Sequence, residues 1–136
     1  MTVVVGPDFV SALVRMRHPH HGAAFDLIET LDEDLVTSPL ALADIDRGVG
    51  ELVGIDAQTA VWRDFEAGAY AVRWWADALK ETIAIARSHR GTSLTNASLV
   101  AVAGRVNTRR IATFDEQFRT LTTPDGEAFV VLPADR

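Results

Sequence analysis

The stretch Leu94-Thr-Asn-Ala-Ser-Leu-Val-Ala-Val-Ala103, followed by Thr108-Arg-Arg-Ile-Ala-Thr-Phe-Asp115, decides the fold class of this chain. The first segment is apolar on nearly all sides, which predicts a central helix, and Thr95 is predicted to cap it. The second segment contains a short strand, predicted from Arg110 to Phe114 and followed at once by Asp115. An apolar helix that leads directly into a buried strand is typical of a parallel sheet covered by helices.

The rest of the chain repeats this alternation of short strands and amphipathic helices. Further strands are predicted at 3–5, 35–37, 69–74 and 128–132. Further helices are predicted at 9–16, 21–31, 39–49, 56–68 and 76–87, the last with Leu79, Ile83 and Ala86 on one apolar face. Strands separated by helices require crossover connections, which predict an α/β fold with a mostly parallel central sheet and helices on both faces. We expect a single domain over residues 1–136.

Composition excludes several classes of protein. The chain has 136 residues and no cysteine, so disulfide scaffolds, thiol nucleophiles and cysteine-ligated metals are ruled out. Its 19 acidic and 13 basic residues give a net charge of −6, which argues against a general nucleic-acid coat protein or a polybasic membrane binder. The N-terminal segment has no basic region, and no apolar run approaches the length of a membrane span. A cytoplasmic protein without membrane contact is therefore expected.

Four oxygen-bearing side chains are predicted to lie near the carboxyl ends of the strands. Asp8 and Asp115 each come after a strand, Asp44 lies on the helix that follows the second strand, and Asn96 lies at the start of the apolar helix. Ligands of parallel sheets bind at the carboxyl ends of the strands, where these four side chains would meet. Such a group favours Mg²⁺ or Mn²⁺ over zinc. Each residue also has a structural interpretation, as a helix cap, a turn residue or a solvated acid.

The chain resembles the PIN-domain family, and within it the VapC-type toxins of bacterial toxin–antitoxin pairs. The resemblance rests on residues 94–103, 108–115 and 124–133 with Phe118, and more weakly on 3–10, 20–24 and 38–46. It implies a PIN-like three-layer sandwich and a Mg²⁺-dependent endoribonuclease that cleaves an RNA phosphodiester. It also implies a homodimer and silencing by a cognate VapB-like antitoxin. On this basis Asp44 and Asp115 are expected to be catalytic, and Asp8, Asp44, Asn96 and Asp115 to bind metal.

The departures from the family pattern fall on the metal site. Gly6 stands where the family carries its first Asp, Asp44 where it carries Glu, and Asn96 where it carries Asp, whereas Asp115 matches. Asp8 supplies a carboxylate two residues after the missing one. Mg²⁺ demands near-ideal octahedral geometry, so weak metal binding and weak or absent cleavage are expected. Two hypotheses follow: an impaired metal-dependent ribonuclease toxin, or a non-catalytic binding protein that dimerises and pairs with an antitoxin.

Other groups have two interpretations each. The segment from His18 to His21 is interpreted as a solvated loop entering a helix rather than a metal site. Tyr70 and the pair Trp74-Trp75 could stack on nucleotide bases, but packing in the core or at an interface is favoured. The remaining group consists of arginines that could contact RNA near Asp115 or cap the negative end of the apolar helix: Arg105, Arg109 and Arg110.

Overall fold

The computed structural model describes residues 1–136, and its central feature is a five-stranded parallel sheet. The strands are β1 (Thr2–Val5), β2 (Asp34–Thr37), β3 (Ala71–Val72), β4 (Arg110–Ala112) and β5 (Val130–Leu132). Their order across the sheet is β3-β2-β1-β4-β5, and every neighbouring pair runs parallel. The first strand in sequence is therefore the central strand.

Six helices form the crossovers between the strands. They are α1 (Pro7–Val14), α2 (His21–Thr30), α3 (Pro39–Leu52), α4 (Ile55–Glu66), α5 (Ala78–Ser88) and α6 (Leu94–Arg105). A short 3-10 helix, Glu116–Arg119, follows β4. Pro7 and Pro39 occupy first-turn positions, where the missing proline N–H would have had no partner in the helix. Ser38 caps α3 by accepting a hydrogen bond from the Ala41 N–H at 3.1 Å.

Helices cover both faces of the sheet, so the molecule has the predicted three layers. Val3 and Val5 pack into a core with α1, α2, α3 and α4, while Val4 points to the opposite face. On that face α6 is buried along almost its whole length, which explains its uniformly apolar sequence. The alternation along β1 follows from the two-residue period of a strand. The predicted α/β fold class is confirmed.

The structure corrects several details of the sequence interpretation. Ser93 caps α6, accepting from the Asn96 N–H at 3.1 Å, so the prediction of Thr95 as the cap is wrong. The predicted strand at 69–74 is reduced to Ala71–Val72. The face of α5 that carries Leu79 is not in the core, because that side chain is 51% exposed, whereas Ala78 and Thr82 are buried. The face of α5 that packs against the core is thus the neighbouring one, which carries Ala78 and Thr82.

None of the helices is both long enough and apolar enough to cross a membrane.

Candidate active site

A polar cleft of about 230 Å³ opens at the carboxyl ends of β1 and β4. All four oxygen-bearing residues singled out in the sequence lie in its wall. Its complete lining is Pro7, Asp8, Asp44, Ser93, Thr95, Asn96, Thr113 and Asp115. The topology explains this meeting, because β1 and β4 are parallel neighbours and α3 and α6 begin at the same edge.

Asp8 reaches the cleft from the first turn of α1 and is anchored to the segment after β4. One carboxylate oxygen accepts from the Thr113 hydroxyl at 2.9 Å, and the other accepts from the Phe114 N–H at 3.0 Å. Burial raises the pKa of Asp8 because it disfavours the charged form, and the negative charge of Asp115 raises it further. The two hydrogen bonds act in the opposite direction on this pKa. Asp8 and Asp115 therefore repel each other across the cleft.

Asp44 enters the cleft from α3. Its Oδ2 accepts a hydrogen bond from the Thr95 hydroxyl at 2.7 Å. Its Oδ1 accepts from Arg47 Nη2 at 3.2 Å in an exposed ion pair one helical turn apart. Thr95 thus fixes the Asp44 carboxylate instead of capping its own helix.

Asn96 and Asp115 are joined directly. The Asn96 side-chain amide donates to Asp115 Oδ2 at 2.9 Å and to Gln117 Oε1 at 2.7 Å. Asp115 Oδ1 accepts from the Gln117 N–H at 2.9 Å, so Asp115 also caps the 3-10 helix. Asp115 therefore has a structural role as a cap and also lines the cleft. Sequence reasoning missed Gln117, and its only signal was its place two residues after Asp115.

Gly6 leaves the first carboxylate position of the family pattern without a side chain. A Cβ built at Gly6 would lie 3.1 Å from Thr113 Oγ1 and 3.4 Å from Asp8 Oδ1. The Asp8 carboxylate lies beside the vacated position, bound to Thr113 and Phe114. The residue at position 6 would nevertheless face the same cleft.

The donor types suit a hard cation, but the carboxylates are not gathered around one point. No three histidine, aspartate or glutamate side chains of the chain come together closely enough to hold a metal ion. Each carboxylate oxygen of Asp8, Asp44 and Asp115 already accepts a hydrogen bond from protein. The Asn96 amide donates both of its protons within the protein. The residues present therefore do not fit a preformed Mg²⁺ or Mn²⁺ cage.

The other basic candidates lie away from this cleft. Arg110 starts β4 and forms a two-point ion pair with Glu33, at 2.7 and 3.0 Å, at the amino end of the strand. The Arg105 guanidinium lies 5.3 Å from the ring centre of Trp75, in the last turn of α6. An arginine patch beside Asp115 is therefore wrong for these two residues, and Arg105 lies at the opposite end of α6 from the cleft.

The aromatic and histidine candidates lie in different parts of the structure. Tyr70 is buried and packs against Phe65, with ring centres 4.9 Å apart, so a base-stacking role for Tyr70 is wrong. Residues 18–20 form the predicted loop before α2, and His21 is the first residue of that helix. Burial lowers the pKa of His18, and the nearby Asp8 charge acts in the opposite direction. This loop therefore lies beside the cleft, which the sequence did not reveal.

The three-layer α/β fold, with an acidic cleft at the carboxyl ends of its central strands, agrees with the resemblance to PIN-domain proteins. The chain is 31% identical over 135 residues to "Ribonuclease VapC26" of Mycobacterium tuberculosis, covering 96% of this chain and 100% of the relative. It therefore belongs to the VapC family of toxins. No family model matches the chain.

Solved structures share this fold at lower identity. The M. tuberculosis VapC20, described as a sarcin-ricin loop cleaving toxin, superimposes with a TM-score of 0.80 at 21% identity over 87% of this chain and 93% of that one. The VapBC2 complex of Rickettsia felis, bound to a DNA fragment from its promoter, gives 0.68 at 11% identity over 96% and 97%. FitAcB from Neisseria gonorrhoeae gives 0.57 at 18% identity over 85% and 88%.

Proposed function

We propose that this VapC-family toxin binds RNA at the acidic cleft and hydrolyses it only weakly, because the cleft holds Mg²⁺ or Mn²⁺ poorly. The similar protein VapC26 is named a ribonuclease, which supports RNA as the substrate class. Asp44 and Asp115 are the side chains that we propose to act in any residual cleavage. Asp8 and Asn96 complete the weak metal site. The cytoplasm is the compartment in which we expect the protein to act.

One observation carries the proposed impairment: positions 6 and 96, which both face the cleft, hold no carboxylate. Tight binding of a hard cation requires several carboxylate oxygens directed at one point. Here Gly6 contributes none, and Asn96 turns its amide protons toward Asp115 and Gln117. Only Asp8, Asp44 and Asp115 then remain to supply negative charge to a divalent cation.

We also propose that the chain pairs with a VapB-like antitoxin. Two of the similar structures, VapBC2 and FitAcB, are toxin–antitoxin complexes, and the fold is retained along the chain. Co-expression with the gene that precedes this one, followed by co-purification through a tag on the partner, tests this pairing. Failure to co-purify would contradict it.

A second function, binding without cleavage, is favoured by the bond between Asn96 and Asp115. An Asp at position 96 would repel Asp115 and need a cation between them, whereas Asn96 stabilises the cleft without one. In this alternative the cleft still receives RNA or an antitoxin, but performs no chemistry.

Cleavage of a long RNA by antitoxin-free protein with Mn²⁺ separates the two functions. Weak cleavage that is lost in Asp115→Ala and kept in the exposed control Asp56→Asn supports the impaired ribonuclease. No cleavage above the Asp115→Ala background supports binding alone. Thermal melts add a direct measure of metal affinity, because a ligand at a concentration equal to its Kd stabilises by only about 0.4 kcal/mol. A large shift with millimolar Mn²⁺ would contradict weak binding.

A further inference from the structure

Three aromatic rings form a stack that runs from the core to solvent. Phe9 is fully buried, and its ring centre lies 6.0 Å from that of Phe114 with an angle of 22° between the planes. The His20 ring lies on Phe114 at 4.3 Å with an angle of only 9°. Because His20 is exposed, the outer end of this stack is open to solvent.

The stack stands at the rim of the cleft. Phe114 donates its backbone N–H to Asp8 and immediately precedes Asp115, so its position is fixed relative to both carboxylates. His18 flanks the outer ring, with its ring centre 5.7 Å from that of His20 and tilted by 43°. A planar group stacked on His20 would therefore be separated only by the His20 ring from Phe114, whose backbone N–H binds Asp8.

The segment between α1 and α2, which contains His18 and His20, also carries arginines without acidic partners. The ion pairs of the chain join Arg47 to Asp44, Arg110 to Glu33 and Arg119 to Asp135. Arg15 and Arg17 are in none of them, and Arg17 is exposed. In a protein with a net charge of −6, these two arginines place positive charge close to an acidic cleft.

A metal role for the histidines does not fit their contacts. His18 Nδ1 accepts the backbone N–H of His20 at 3.0 Å, and His21 Nδ1 lies 2.8 Å from the Ala12 carbonyl oxygen. Only the His20 ring has no partner other than Phe114 and His18.

We propose that His20, supported by Phe114, is a stacking platform for one base of single-stranded RNA whose backbone runs past Arg15 and Arg17. An aromatic face next to unpaired cations is the combination with which proteins hold single strands without reading their sequence. This inference rests on the proposed function, because it concerns the strand that enters the acidic cleft. The arginines favour RNA over an aromatic side chain of an antitoxin as the occupant.

The test is a pair of binding titrations with full-length protein in Ca²⁺, read by fluorescence anisotropy. One labelled probe is a twelve-nucleotide oligouridylate, and the other is the same sugar–phosphate chain without bases. A gel confirms that the first stays intact. We expect His20→Ala to weaken binding of the oligouridylate about fivefold or more and to leave binding of the abasic chain unchanged. Arg17→Gln should weaken both probes by the same factor.

Two matched variants complete the design. His20→Phe keeps a ring on Phe114 and should retain affinity within about twofold, a small part of the stacking effect. Phe25→Ala removes another exposed ring from α2 and should change neither titration. Thermal melts confirm that each variant is folded.

The results that would contradict the proposal can be told apart from one another. Unchanged oligouridylate binding in His20→Ala, or an equal loss in His20→Phe, overturns the stacking platform. A His20→Ala variant that weakens antitoxin binding and not RNA binding assigns the surface to the protein partner and overturns the proposal. Wild-type protein that binds neither probe overturns the proposed function together with this inference.

Discussion

Asn96 and Asp115, from α6 and the segment after β4, are held together by a hydrogen bond of 2.9 Å between amide nitrogen and carboxylate oxygen. The Asn96 amide presents its positive N–H end to Asp115. Two acids at these positions would instead require a cation between them. The bond therefore relieves charge repulsion at this point of the cleft without a cation.

Replacing Asn96 with Asp should make the stability of the protein depend on metal. The variant loses both amide hydrogen bonds and places a like charge beside Asp115, which we expect to cost about 1–3 kcal/mol in chelator. Millimolar Mn²⁺ should return part of this loss. Thermal melts with and without Mn²⁺ measure the effect. Asn96→Ala serves as the control, since it loses the same bonds without gaining a charge and should not respond to Mn²⁺.

Combining Gly6→Asp with Asn96→Asp should raise RNA cleavage above that of the wild type and of either single variant. The two acids would serve one ion, so their effects should be strongly non-additive. The new side chain at position 6 starts 3.1 Å from Thr113 Oγ1, and Thr113 must shift by a few tenths of an ångström to admit it. Cleavage of a long RNA with Mn²⁺ is the measurement. Absence of cleavage in the folded double variant would show that lost carboxylates are not the cause of weak activity.

The ion pair between Arg119 and Asp135 predicts a pH dependence that is independent of the cleft. The hydrogen bond from Arg119 at 2.6 Å, and then that from the Val131 N–H at 2.8 Å, hold the pKa of Asp135 below its usual 3.8. The stabilisation is therefore present above pH 3.8 and is lost as the pH falls through the lowered folded-state pKa.

Urea unfolding at a series of pH values checks this dependence. Asp135→Asn should be less stable than the wild type at neutral pH, and the difference should shrink below pH 3.8. The exposed turn variant Asp125→Asn should show no such difference. A constant difference across the whole pH range would contradict the assignment to Asp135.

We expect the chain to form a homodimer, and the face of α5 is one of its exposed apolar surfaces. Leu79 is 51% exposed on this helix, and Trp74 just before it is 37% exposed. Sedimentation at micromolar concentration should give a dimer for the wild type. Leu79→Lys should shift it toward monomer, whereas Leu52→Lys, at another exposed apolar position, should not. A monomeric wild type would refute the dimer.

The fold was largely predictable because its strands and helices have strong local signals. The β-branched run in β1 and the Ser38-Pro39 helix start appear where the sequence places them. The choice between Thr95 and Ser93 as a cap was not predictable, because both residues suit the position and a tertiary contact with Asp44 decides between them. Which face of α5 is buried did not follow from the sequence, because Leu79 is apolar whether it faces the core or a surface.

The meeting of four cleft residues followed from the rule that parallel sheets bind ligands at their carboxyl ends. The hydrogen-bond partners of those residues did not follow from it. Gln117 and Phe114 enter the site through the turn after β4, and turn geometry cannot be read from residue types alone. The stack of His20 on Phe114 joins residues from distant parts of the chain and had no sequence signal.

The bond from Thr113 to Asp8 spans 105 positions of the chain, and β1 pairs with β4 beside it. During synthesis the first carboxylate is therefore made long before the groups that hold it. Until β4 and the turn after it have left the ribosome, the cleft lacks the side that Thr113 and Asp115 form. We therefore expect a toxin with this topology to be inert as a nascent chain, because its cleft is complete only when nearly all of the chain has been translated.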